Sequence, residues 1–212
     1  MTFSENCRDC PRLSDFLDRV RAEHPGYHAL PVSSFGAQGT NFLIVGLAPG
    51  MHGANRTGRP FTGDYAGNLL YGTLHKYGFA TSAEPLDAAG NANRELSLQG
   101  CRITNAVRCL PPQNKPEPAE VRACNGYLAE ELAALPSGAA VMALGLIAHQ
   151  AVLSAQGLRK SAHVFAHGAR HELPGGLTLF DSYHCSRYNT QTKRLTPEMF
   201  EQVVAGVSRH VA

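Results

Sequence analysis

The sequence has no apolar run near the roughly 20 residues that span a bilayer, and it has no low-complexity tract. Its 43% hydrophobic and 17% charged residues suit a chain that buries a core, which argues against both a membrane helix and disorder. It also lacks an excess of one charge. Nineteen basic against 17 acidic residues leave +2, too little for a polycation that coats nucleic acid, though a local basic face remains open. The N-terminal stretch MTFSENCRDCPRL has no apolar centre, so no secretory signal is expected and a reducing, cytoplasmic compartment follows. Neither a repeat nor an interdomain linker is visible across the 212 residues. One domain over 1–212 is the expectation.

Two phosphate-binding signatures are missing as well. Gly46-Leu-Ala-Pro-Gly50-Met-His-Gly53 follows an apolar run but ends in no Gly-Lys-Ser/Thr and lacks G-x-G-x-x-G spacing, which argues against nucleotide sites of those kinds.

Short runs rich in branched residues predict strands over Asn41 to Leu47, Cys101 to Val107, Ala139 to Leu144 and Leu177 to Tyr183. Helical patterns fall at Leu13 to Glu23, Ala66 to Tyr77, Pro118 to Leu135, Leu146 to Gln156 and Pro197 to His210, the last opened by Thr196 as N-cap. Strands alternating with helices imply an α/β fold with a parallel sheet and helices on both faces. Ligands bind such sheets beyond the C-terminal ends of the strands, so the segments after Leu47, Val107 and Tyr183 are where chemistry is sought.

Those segments are rich in special residues. Asn55 to Asp64 (NRTGRPFTGD) is polar, carries glycines and includes Phe61; His184-Cys-Ser-Arg-Tyr-Asn189 sets an imidazole, a guanidinium, an aromatic ring and an amide at a strand end. From Leu158 to Arg194 six basic residues face two acidic ones, a +4 stretch in a nearly neutral chain. Six cysteines occur. Cys7 and Cys10 form C-x2-C, while Cys109 and Cys124 flank a loop with four prolines. Four thiolates suit structural zinc or an iron-sulfur cluster, and spacing alone leaves both open.

GLAPGMHGANRTGRPFTGD, ITNAVRC and SYHCSRYNTQTKRLT, in this order, resemble the motifs of the uracil-DNA glycosylase superfamily, and specifically its B-type (family five) iron-sulfur branch. The resemblance implies a three-layer α/β/α fold with a four-stranded parallel central sheet, and a 4Fe-4S cluster on Cys7, Cys10, Cys109 and Cys124. It also implies a monomer that excises uracil, and other deaminated bases such as hypoxanthine, from DNA. Breaking the N-glycosidic bond leaves positive charge on the sugar and negative charge on the base, so such a site needs an anion, donors and a placed water. The base must also leave the stack. By the resemblance, substrate contacts come from Gly46, Ala48, Phe61, Asn105 and Asn189. Phe61 stacks on the base, Asn105 matches the O4 and N3–H edge of uracil, and His184 donates toward O2, as a neutral or a charged ring.

The better-known branches place an Asp or Asn where this chain has Ala48, to orient the attacking water. Asp64 is the expected substitute, its bland alternative being a helix cap. Ser186, Arg187 and Tyr188 resemble a loop that enters the minor groove, and Arg56, Arg59, Lys193 and Arg194 are expected phosphate contacts. Two rival readings remain. His163, His167 and His171, at intervals of four, suggest a zinc hydrolase or deaminase, against which Gly168 and the missing H-x-E partner argue. The other is an inactive iron-sulfur DNA-binding protein of the same fold.

Overall fold

A computed structural model describes residues 3–212. The chain runs α1 (Pro11–Glu23), β1 (Phe42–Gly46), α2 (Ala54–Thr57), α3 (Tyr65–Lys76), β2 (Cys101–Asn105), α4 (Pro118–Ala133), β3 (Ala140–Leu144), α5 (Leu146–Ala155), β4 (Arg170–Leu173), β5 (Leu177–Ser182), α6 (Arg187–Gln191) and α7 (Pro197–Val211). The strands form one sheet in the order β2-β1-β3-β5-β4. All pairings are parallel except β4 with β5.

The expected four-stranded parallel sheet is therefore corrected to five strands, the added one antiparallel at an edge. Arg170–Leu173 reads RHEL, with Arg170 and Glu172 exposed. An edge strand solvated on one face gives no apolar run, so the periodicity that reveals the central strands is absent here. The short helices α2 and α6 also lie in stretches that read as loops.

Alternation along the central strands explains the layers. Phe42 and Ile44 pack with Leu70 and Leu74 of α3 and Phe200 and Val204 of α7. Leu43 and Val45 pack with Leu128 and Leu132 of α4 and Ala148 and Val152 of α5. Being buried on both faces, β1 reads as continuous apolar sequence, as parallel strands do. A third cluster holds Leu13, Leu17 and Val20 of α1 against Val107, Leu110, Cys109 and Cys124. Local signals agree with this frame: Thr196 caps α7 by accepting from the Met199 N–H at 3.2 Å, and Pro118 opens α4 behind a Glu117/Glu120 capping box. Among the described residues no helix is long and apolar enough to cross a membrane.

In the register, Gly46 stands beside Asn105 and Leu144 beside Ser182. The C-terminal ends of β2, β1, β3 and β5 thus finish at one level and make a floor.

Candidate active site

A cavity of about 890 Å³ opens over that floor. Its wall takes Leu47, Ala48 and Gly50 to Ala54 from behind β1, Phe61 and Gly63 to Ala66, Asn105 from the end of β2, Leu144 to Ile147 from β3 into α5, and His184, Ser186 and Arg187 from behind β5. Asn114, in the proline-rich loop, completes it.

Gly46 is not itself on the wall but sets its spacing. A Cβ there would collide with Asn105 Oδ1 and lie 2.7 Å from Phe61 Cζ, so only glycine lets both side chains close over the strand end. Phe61 has φ of +53°, a left-handed conformation costly for an aromatic residue and kept only where its surroundings over-determine it. Tyr71 donates to the Pro60 carbonyl at 2.7 Å, and Gly67 lets α3 pack directly on the Phe61 carbonyl. Phe61 lies near-parallel to His184, ring centroids 5.9 Å apart.

His184 is partly buried. Its Nδ1 has no partner, and enclosure by protein lowers its pKa to about 4, so the ring is neutral at neutral pH. Asn189 points its amide back at the His184 carbonyl, donating at 2.8 Å. It fixes the backbone of His184 from α6 and is not on the cavity wall. Ser186 caps α6 by accepting from the Asn189 N–H at 3.3 Å.

Asp64 does two things. Its Oδ1 accepts from the Gly67 N–H at 3.2 Å as N-cap of α3, while its Oδ2 lies against Gly50 and Gly53, on the cavity side. Burial pushes its carboxyl above the ordinary range, against the opposing pull of the Gly67 and Ala66 N–H groups. Ala48 lines the same wall and leaves it open where a longer side chain would project.

The basic residues separate into two groups. Arg187 is exposed at the mouth, its guanidinium 5.4 Å from the centroid of Tyr65. Tyr188 is 71% exposed; Lys193 and Arg194 are exposed too. Arg56 and Arg59 point inward instead. Arg56 donates to the carbonyls of His52 and Gly90. Every nitrogen of the Arg59 guanidinium donates to a protein oxygen, on Thr62, Asn93 and Pro85. The pair ties the glycine-rich loop to residues 85–93.

The segment after β3, which is not among those expected from the sequence, contributes as well: Gly145, Leu146 and Ile147 line the cavity. A glycine directly after the apolar run ending at Leu144 is the sequence sign of a turn there, and Gly145 has φ of +98°. Met51, His52 and Tyr65, none of them distinctive in the sequence, line it too. His163, His167 and His171 share no helix face: His163 follows a turn, His171 sits on β4, and His167 Nδ1 accepts the Tyr183 N–H at 3.1 Å. None of them lines the cavity.

Cys7, Cys10, Cys109 and Cys124 come together from three segments. Burial raises the pKa of Cys10 to about 11, and raises Cys109 and Cys124 as well; neighbouring cysteines of the four push each of them further up. Tyr127 donates to Cys7 Sγ at 3.7 Å. Ala48 and Met51 pack against this cysteine-containing core and line the cavity, so the two sites share a wall.

The Uracil DNA glycosylase superfamily model matches residues 33–207. The chain belongs to the uracil-DNA glycosylase superfamily. Within it the similarity runs to the type-5 branch. A type-5 uracil-DNA glycosylase of Thermus thermophilus is 50% identical over 208 residues, covering 96% of this chain and 93% of that protein. One from Mycobacterium leprae is 41% identical, covering 93% and 88%, and one from Pyrobaculum aerophilum is 38% identical, covering 94% and 86%. A type-4 uracil-DNA glycosylase from Pyrobaculum aerophilum is 32% identical over 156 residues. The superfamily match takes in the whole cavity, from the strand end at Gly46 to Arg187.

Proposed function

We propose that this superfamily member hydrolyses the N-glycosidic bond of uracil in DNA, with the base flipped into the cavity, and leaves an abasic site. One observation carries the reading. Asn55, Asn105, His184 and His210 hold buried polar atoms without a partner among the described residues, and of these Asn105 and His184 line the cavity. Buried orphan groups are costly and rare; two on one cavity wall suit a ligand edge bearing both donors and acceptors.

A uracil stacked on Phe61 presents O4 and N3–H to the Asn105 carboxamide and O2 to His184. A ring that stays neutral acts by donating and polarising, without a formal charge, as negative charge collects on the base. Asp64, through Oδ2, orients the attacking water and offsets positive charge on the sugar. Ala48 leaves room, which supports acceptance of deaminated purines such as hypoxanthine. Arg187 and Tyr188 fill the gap in the duplex, and Lys193 and Arg194 meet phosphates; the protein engages DNA as a monomer.

The four cysteines suit a 4Fe-4S cluster. Their chemistry is all-thiolate, drawn from three segments with neighbouring cysteines raising one another's pKa, as a thiolate-held iron-sulfur centre requires. When bound, the cluster supplies a staple joining the N-terminal segment to the loop after β2, whose Asn114 reaches the cavity wall.

The test is single-turnover base release from oligonucleotides carrying one uracil, hypoxanthine or xanthine. Release of free uracil is expected. Tight binding to abasic DNA with no base released from any of them would leave an inactive DNA-binding protein and refute the proposal.

A further inference from the structure

A second group of titratable residues lies outside the cavity. His149 in α5, His171 on the edge strand β4 and Asp181 near the end of β5 converge, with their ligand atoms all within 4.8 Å of one another. Asp181 is fully buried and His149 is 1% exposed. His149 Nδ1 is 2.8 Å from Asp181 Oδ1, and His171 Nε2 is 3.1 Å from Asp181 Oδ2.

The other nitrogen of His149 decides the chemistry. Nε2 lies 2.9 Å from the His163 carbonyl, which can only accept, so Nε2 carries the proton. In the neutral ring Nδ1 then keeps its lone pair, and two acceptors, Nδ1 and Oδ1, face each other with little solvent. A positive centre must join them: a second proton on Nδ1, which burial opposes and Asp181 favours, the balance raising the pKa of His149, or a metal ion in that proton's place. A histidine whose far N–H is tied to a backbone carbonyl is the usual outer support of a metal-binding imidazole, since it holds the tautomer and aims the free nitrogen. Two imidazole nitrogens and a carboxylate form a donor set for borderline divalent metals, zinc foremost.

We propose that His149 Nδ1, His171 Nε2 and Asp181 form a zinc-class divalent metal site, separate from the four cysteines and from the cavity. A fourth position is open to water or to the His163 imidazole, whose ring centroid is 5.6 Å from that of His171. The site joins α5, β4 and β5. Its effect is structural: α5 begins with Leu146 and Ile147 on the cavity rim, and β5 leads within three residues of Asp181 to His184. The metal braces that wall from behind and pins an edge strand that pairs on one side only. His167, one member of the four-residue series, is committed to Tyr183 and takes no part.

Cobalt(II) titrated into the holoprotein tests this, because its visible bands report the donor atoms. One equivalent is expected to bind with d–d bands of a nitrogen/oxygen site, without thiolate-to-cobalt charge transfer, and zinc should displace it. His171→Gln, at a side chain 13% exposed on the edge strand, should weaken binding by more than about tenfold and leave the metal-free circular dichroism unchanged. Charge-transfer bands that persist in His171→Gln would assign the metal to cysteine and overturn the proposal. So would absence of binding, or nitrogen NMR showing His149 protonated on both nitrogens with zinc present, since a proton would then hold the place assigned to the metal. None of these readouts depends on base excision.

Discussion

Asp64 is bonded to the helix and faces the cavity, and two substitutions separate these roles. Asp64→Asn keeps an acceptor for the Gly67 N–H, now at 3.2 Å, and asparagine caps helices about as well as aspartate. Its stability should stay near that of the parent. Asp64→Ala removes the cap, which costs about 1 kcal/mol, a fall in Tm of roughly 2–4 °C for a chain of this size. Both remove the anion at Oδ2. Single-turnover uracil release should therefore drop at least about tenfold in each, or about 1.4 kcal/mol of activation free energy, while binding to abasic DNA holds. Burial raises the Asp64 pKa, and the proposed role needs the ionised form, so the parent rate should fall as pH drops through that raised value, above the ordinary 3.8. Asp64→Asn should lose that acid limb. An unchanged rate in Asp64→Asn would reduce Asp64 to a cap; equal Tm losses in the two variants would refute the division between its oxygens.

Three other outcomes follow from the geometry. His184 titrates near 4, below about 6.5 for an unfolded histidine. Between those values the unfolded state binds the extra proton, so this residue's contribution to stability is present above about 6.5 and is lost as pH falls toward 4; an NMR midpoint near 6.5 would contradict the neutral-donor assignment. Gly46→Ala should push Asn105 and Phe61 apart at a cost of about 1–3 kcal/mol and reduce excision beyond the loss of folded protein, as thermal melts with single-turnover rates will show. Arg187→Ala should weaken abasic-DNA binding and lower the salt slope by about 1, whereas Arg59→Ala should lower Tm with the slope intact. A changed slope in Arg59→Ala would mean that its internal hydrogen bonds open on DNA.

What was legible in the sequence follows from what each element is buried against. The central strands are covered on both faces, so Phe42 to Gly46 and Ala140 to Leu144 stand out as apolar runs, and Thr196 and Pro118 mark helix starts by chemistry that acts within one turn. Arg170–Leu173 is exposed on one face and pairs with a single neighbour, so nothing local separates it from a loop. In the site, Phe61, Asp64, Asn105 and His184 could be read because they lie at or beyond strand ends and sit in distinctive motifs. The inward turn of Arg56 and Arg59 could not. It is set by carbonyls of Pro85, Gly90 and Asn93, 26 to 34 residues away in sequence, and a charge count treats every arginine as solvent-facing. The convergence of His149 and His171 on Asp181 was hidden for the same reason. Its members lie on three elements, and the spacing of His163, His167 and His171, against whose helix Gly168 already argues, says nothing of His149 or Asp181.

In the proposed reaction Asn105 and His184 are the groups that hold and polarise the flipped base. The most direct measurement is single-turnover release of free uracil from a duplex with one uracil, comparing the parent with Asn105→Ala and His184→Ala under saturating protein. The parent should release uracil and leave an alkali-labile abasic site, and each variant should lose at least about tenfold in rate while still binding the abasic product. Release by both variants at the parent rate would place the chemistry elsewhere.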